Sequence, residues 1–221
     1  MYKRQAVGLV LGVVSFFNIL YGTLVGISKF EVKDIEFHHP NLPKAFDGYR
    51  IVQLSDIHIG SWIDNEKTIN ELVELVNAQK PDLIVFTGDL VNQRSCELEG
   101  FQDILAQLHA KDGVYSILGN HDYGSYYHWK NLKEQINNID NLVRMQKTMG
   151  WKLLNNEYDI LHHEGDSIAL IGVENDGEPP FSQFADLKKA TKGTDGMFRI
   201  LLSHNPTPVS YTHLRAHETL S

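Results

Sequence analysis

The chain has 221 residues, room for one α/β domain plus a short extra segment, and its 42% hydrophobic content supplies a sizeable core. A formal net charge of −8 makes it a poor holder of nucleic acid through backbone phosphates. The single cysteine, Cys96, excludes an internal disulfide and reads as an ordinary helix-start residue.

In chain order, the first element is membrane-like. No charged residue occurs from Ala6 to Ser28, a stretch rich in Val, Leu, Ile, Phe and Gly. About 20 apolar residues span a bilayer, so the pattern predicts a transmembrane helix over 6–28. Gly8, Gly12, Ser15, Gly22 and Gly26 fall along one face, where small residues admit a second helix. The expected neighbours are further membrane helices encoded upstream. The flanking charges Lys29, Glu31, Lys33 and Asp34 offset one another and give no orientation.

Phe30 to Phe37 reads as a strand, and a Pro-marked loop follows, with His38 and His39 as solvated residues. Ile51 to Leu54 is a short apolar strand. Glu66 to Gln79 places Ile69, Leu72, Val73 and Val76 at helical spacing. A second strand, Leu83 to Phe86, precedes a predicted helix from Leu98 to Leu108. A third strand, Val114 to Leu118, precedes a polar, Asn-rich helix from His128 to Met149. Tyr158 to Leu161 and Ile168 to Val173 read as antiparallel strands, with His162 and His163 exposed at their turn. A short helix is expected to begin within Pro179 to Asp186, and Ile200 to Leu202 is the last strand.

Four of these strands are each followed by metal-ligating side chains. The segments are Asp56-Ile57-His58, Gly88-Asp89-Leu90-Val91-Asn92, Gly119-Asn120-His121-Asp122 and Ser203-His204-Asn205-Pro206. If the strands lie side by side in parallel, all four segments share the sheet edge where open α/β sheets bind ligands. Carboxylate, imidazole and amide oxygen together suit Mn, Fe or Zn. Asp56 and His58, two apart, point the same way in an extended chain. Asp89 has two carboxylate oxygens and can bridge two cations. Such a pair grips a phosphate ester and lowers the pKa of a bound water from about 15.7 to about 7.

The motifs D-x-H, G-D-x-x-N, G-N-H-D and H, in this order, resemble those of the calcineurin-like metallophosphoesterase superfamily. PDLIVFTGDLVN and YSILGNHDYG are similar to its membrane-associated bacterial branch. The resemblance implies an α/β layered sandwich, two mixed β-sheets flanked by helices, here preceded by the transmembrane helix. It implies two divalent ions, one held by Asp56, His58 and Asp89, the other by Asp89, Asn120 and His204. It casts His121 as the residue that protonates or stabilises the leaving oxygen and Asp122 as its orienter. The family's closing G-H-x-H motif does not follow His204.

The chain ends read differently. Met1 to Gln5 and Val209 to Thr212 can both be encoded by one short DNA element read from its two strands: GTG-TAT-AAG-AGA-CAG, and GTC-TCT-TAT-ACA in the complement. Segments 1–5 and 209–221 therefore read as translated sequencing adaptor. The domain is then 29–208 without its C-terminal part, impaired in metal binding and turnover, and His213 and His217 are not designed ligands.

Among other candidates, Tyr123, Tyr126, Tyr127 and Trp129 read either as a groove beside the metals or, more simply, as core aromatics. Glu174, Asn175 and Asp176 read as a polar loop that could support the ligands. The expected protein is a membrane-anchored hydrolase of phosphoester or pyrophosphate bonds. Its substrate is a phosphorylated small molecule or lipid, since the branch includes pyrophosphatases acting on a UDP-diacylglucosamine. The alternatives are a nucleotide or cyclic-nucleotide phosphodiesterase and a non-catalytic scaffold, the latter disfavoured by His121.

Overall fold

The computed structural model describes residues 2–24, 26–63, 65–177 and 182–206. The chain forms two units, Met1–His38 and His39–Ser221. The segment 209–221, with His213 and His217, and the expected helix start at Pro179 lie outside the described residues.

In the first unit, helix α1 (Tyr2–Leu24) leaves Val7, Leu9, Val10, Leu11, Phe16 and Ile19 exposed. The expected span 6–28 overlaps this helix. The helix begins at Tyr2, taking in Lys3 and Arg4, and stops at Leu24, before a 3-10 turn at Gly26–Ser28. Among the described residues no helix is long and apolar enough to cross a membrane. Residues 30–37 form no strand either. A strand needs a ladder partner, and here Val32, Ile35 and Phe37 stay exposed.

The second unit contains two sheets. The first runs β1 (Ile51–Leu54), β2 (Leu83–Phe86), β3 (Val114–Ser116) and β4 (Lys152–Leu153), in that order. All its neighbours are parallel, with Ile51 opposite Leu83 and Ile84 opposite Val114. The second sheet holds β5 (Glu157–His163), β6 (Asp166–Gly172) and β7 (Arg199–Leu202). There β5 and β6 are antiparallel and β6 and β7 parallel. The expectation of two mixed sheets is thus corrected: only the second is mixed. The strand before His204 also belongs to the second sheet, so the four ligand-bearing segments do not share one sheet.

Alternation sorts the core. Leu83 and Val85 from β2 meet Ile168 and Leu170 from β6 and Ile200 and Leu202 from β7, together with Tyr115 and Ile117. Intervening residues turn outward: Ala169, Ile171 and Leu201 pack with Ala190 of α5 (Leu187–Ala190). Period-two burial on both faces is the mark of strands covered on two sides. A polar clamp joins the sheets as well. The Tyr115 hydroxyl donates to Asp159 on β5 at 2.7 Å, and the Lys152 ammonium donates to Asp159 at 3.1 Å.

Helix α2 (Glu66–Ala78) buries Ile69, Leu72, Val73 and Val76 at the predicted spacing. Helix α4 (Leu132–Thr148) starts where the Asn131 side chain caps the Glu134 amide at 3.0 Å. Its polar character has partners: buried Gln146 accepts from the Ser116 hydroxyl, and buried Asn138 accepts from the Ser95 amide. The helix expected over 98–108 is corrected to a 3-10 turn, Ser95–Leu98, and a single turn, α3 (Gln102–Leu105). Gly100, at φ +87°, separates them in a conformation that a helix cannot continue through.

Packing is tight beside Gly172, at the end of β6. A Cβ there would lie 2.8 Å from the Leu154 carbonyl and 2.9 Å from Ile117 Cγ2. Gly172→Ala is expected to force the sheet ends apart and cost about 1–3 kcal/mol of stability, as overpacking does. Urea unfolding followed by tryptophan fluorescence measures it, and an unchanged midpoint would refute the close-approach argument.

Candidate metal centre

The site forms where the chain leaves β1, β2 and β7 and in the loop beyond β3. After β1 the chain runs along the segment that follows β2: the Asp56 amide donates to Gly88 O at 3.0 Å, and the His58 amide donates to Asp89 O at 3.1 Å. Asp56, His58 and Asp89 take φ of 54°, 47° and 58°. Non-glycine residues seldom enter this left-handed region, and such strain gathers at functional sites.

Asp89 is the hub. It is only 3% exposed, yet its Oδ2 lies 3.4 Å from His204 Nε2 and 3.6 Å from His58 Nε2. Its Oδ1 accepts from the His121 amide at 2.9 Å. Burial alone would raise its pKa; the hydrogen bond and charge of His204 and the His121 amide outweigh that and hold the carboxyl below the usual range. His204 responds in kind. Burial disfavours its charge, but Asp89 and the Thr87 carbonyl push it up to about 9. Its Nδ1 faces Thr87 O at 2.9 Å, and its Nε2 lies 3.0 Å from Asn120 Oδ1. Asp56, more exposed, lies 3.9 Å from His58 and accepts from the Ser55 hydroxyl.

The motif glycines have steric reasons. A Cβ on Gly88 would lie 2.6 Å from the Gly119 amide nitrogen and 2.9 Å from His204 Nδ1. A Cβ on Gly119 would lie 2.6 Å from the Asp89 amide nitrogen. The two loops touch backbone to backbone, and only hydrogen fits between them.

Asp122 locks this contact. Fully buried, it accepts from the amides of Asp89 at 2.8 Å, Leu90 at 2.9 Å, Val91 at 3.1 Å and Gly119 at 2.9 Å. Burial pushes its pKa up to about 7 against the pull of those amides. Its oxygens thus hold backbone, while the His121 ring is oriented elsewhere: Nδ1 faces the Asn92 carbonyl at 2.7 Å. A carbonyl can only accept, so Nδ1 carries the proton and Nε2 is the ring atom left for chemistry. The His121 ring also meets His58 edge-on at 4.7 Å and Tyr126 at 4.8 Å.

The structure thus gathers Asp56, His58, Asp89, Asn120, His121 and His204 in one pocket. Its acidic and imidazole donors form two overlapping groups, His58–Asp89–His121 and Asp56–Asp89–His204, each with ligand atoms within 4.8 Å of one another. This grouping places His121 among the donors, and Asp56, which lies 3.9 Å from His58, also stands with His204. The donor chemistry fits a pair of divalent cations sharing Asp89. One participant carried no role in the sequence reading. Asn92 sits in the quoted motif, but it acts through its backbone carbonyl, which no residue type advertises. Tyr126 accepts from Asn120 Nδ2 at 3.0 Å through its hydroxyl, while neighbouring Tyr123 is buried as a core aromatic. Asn175, fully buried, accepts from Asn205 Nδ2 at 2.9 Å, just past His204.

Residues 49–220 match the calcineurin-like phosphoesterases. The chain belongs to that family. A Danio rerio "transmembrane protein with metallophosphoesterase domain" is 29% identical over 196 residues, covering 85% of this chain and 42% of that protein. The uncharacterized metallophosphoesterase YkuE of Bacillus subtilis (strain 168) is 38% identical over 87 residues, 38% of this chain and 30% of that protein. The UDP-2,3-diacylglucosamine pyrophosphatase LpxG of Chlamydia trachomatis is 27% identical over 209 residues, 77% of this chain and 62% of that protein. The chain therefore spans less than two thirds of the length of these relatives. Calcineurin-like phosphoesterases use a dinuclear divalent centre, and the donor groups around Asp89 suit one.

Asp122→Asn keeps the shape but replaces one acceptor oxygen with an NH2 that faces amide hydrogens. It is expected to lower stability by roughly 2–4 kcal/mol, through amides left without acceptors. Urea unfolding in EDTA measures this without any contribution from metal. Wild-type stability in the variant would show that Asp122 does not hold the loops.

Proposed function

We propose that this chain carries the catalytic site of a membrane-associated hydrolase of phosphoester or pyrophosphate bonds, acting on a lipid-linked or nucleotide-sugar substrate. The observation that carries the reading is the convergence of donors from three other segments on the buried Asp89 carboxylate. Asp89, Asp56, His58, Asn120 and His204 would hold the two cations. When bound, such a pair supplies positive charge to the phosphoryl oxygens and acidifies a water.

The chain's own residues do the rest. His204 would offer Nε2 as a ligand, since Thr87 O holds a proton on its Nδ1. In its imidazolium form His121 keeps Nδ1–H on Asn92 O, gives its Nε2 proton to the leaving oxygen and returns to the neutral Nδ1–H ring. Tyr126 steadies Asn120 so that the amide oxygen faces His204. Asp122 serves through the backbone it holds.

The lipid-linked substrate rests on the similarity to LpxG, named as a UDP-2,3-diacylglucosamine pyrophosphatase. Membrane association rests on the exposed apolar residues of α1 and on relatives named as transmembrane proteins.

In the full-length protein loaded with Mn, His121→Ala is expected to cut turnover of a UDP-linked diacylsugar roughly 10²- to 10⁴-fold. Metal content by plasma emission should change little. Unchanged turnover would remove His121 from the mechanism, and preference for a simple aryl phosphodiester over the lipid pyrophosphate would reject the substrate class. Flotation with liposomes tests the anchor: the chain should float and a variant lacking residues 1–28 should not. Equal partitioning of the two would refute a membrane role for α1.

A further inference from the structure

A concavity of about 340 Å³ is lined by residues of the loops that follow β2 and β3 and by the start of α4. Its volume lies within the roughly 300–1,000 Å³ typical of small-molecule sites. The loops that build it are those that build the metal centre. Asn92, whose carbonyl orients His121, is two residues before Arg94; Tyr126, bonded to Asn120, directly precedes Tyr127. At about 3.8 Å between successive Cα atoms, the cleft begins within one nucleotide's length of those site residues.

The lining has a definite chemistry. The Arg94 guanidinium lies over the Tyr127 ring at 5.3 Å, and Tyr127 packs on Trp129 at 4.7 Å between centroids. Both partners are braced. Trp129 Nε1 donates to Gly124 O at 2.7 Å, and Arg94 Nε lies 3.9 Å from Glu97, whose carboxylate accepts the Asn92 and Arg94 amides. The polar neighbours are committed elsewhere: Glu134 turns back to the Lys130 amide at 3.3 Å, and Asn138 bridges the Ser95 amide and Gln93 O. The lining thus joins aromatic surface and the cations Arg94 and Lys130, with His128 and the single carboxylate Glu134, in a chain whose formal net charge is −8. Stacking surface beside positive charge is the recognition chemistry of a flat heteroaromatic ring carrying phosphate. An acyl chain would gain nothing from the cations, and a bare phosphate would gain nothing from the rings.

We infer that this cleft is a subsite for the nucleoside end of the substrate, with Tyr127 and Trp129 stacking on the base and Arg94 on the adjoining phosphate. The inference rests on the reading of the metal centre as a phosphoester or pyrophosphate hydrolase, and it narrows the substrate to nucleotide-linked compounds.

Cys96, the only cysteine in the chain and exposed in this cleft, is the reporter. Its alkylation by iodoacetamide is followed by mass spectrometry in the full chain, with and without Mn, in the presence of UMP, AMP or inorganic phosphate. UMP or AMP is expected to slow the reaction at least fivefold, inorganic phosphate less than twofold, and Tyr127→Ala to abolish the slowing. Tyr127 is 42% exposed, so its removal leaves the core intact, which circular dichroism checks. Unaltered alkylation with both nucleotides, or full protection persisting in Tyr127→Ala, would overturn the subsite. Nucleotide protection without turnover of any phosphoester would leave the subsite standing and reject the hydrolase reading; turnover without protection would do the reverse.

Discussion

A buried carboxylate must be matched by positive charge, and Asp89 sets that requirement for the whole site. In a low-dielectric interior an unmatched charge is expensive enough to change its protonation. Asp89 stays ionised because His204 and His58 face Oδ2 and a backbone amide faces Oδ1. The imidazole of His204 is held charged by the same pairing. Atoms so placed as ion-pair partners are also the donors that a divalent cation requires, which is why the pocket reads as a metal centre from its electrostatics alone.

Holding several donors around one carboxylate is a backbone problem. Gly88 and Gly119 allow two loops to touch, and Asp122 ties them together through four amides. The left-handed φ of Asp56, His58 and Asp89 is tolerated because this lattice over-determines their positions. Residues that bind nothing themselves thus decide where the ligands stand. The same loops continue into the Arg94–Tyr127–Trp129 cleft, so recognition and chemistry share one support.

Much of this was legible from residue types. Strand β2 was visible as a short apolar run because both its faces are covered, and α2 showed its buried stripe at helical spacing. The candidate ligands stood out because Asp, His and Asn directly after such runs have few other uses. Other features left no such trace. Gly100 divides a stretch whose apolar spacing alone suggests a continuous helix. Residues 30–37 have a strand's composition, but composition cannot supply a neighbouring strand. Asn92 acts through its carbonyl, a group common to every residue.

The order of motifs along the chain by itself determined the kind of chemistry: donor types, their number and the segments that bear them are properties of residue identity. Only the tertiary structure decided that β7 lies in a different sheet from β1, β2 and β3, so that His204 reaches Asp89 across the sandwich rather than along one edge. It also decided that Asp122 grips backbone, that Asn92 orients His121, and which donors fall within reach of one another. The physical reason is that ligand identity is local to a residue, whereas proximity across about a hundred residues depends on how two sheets pack.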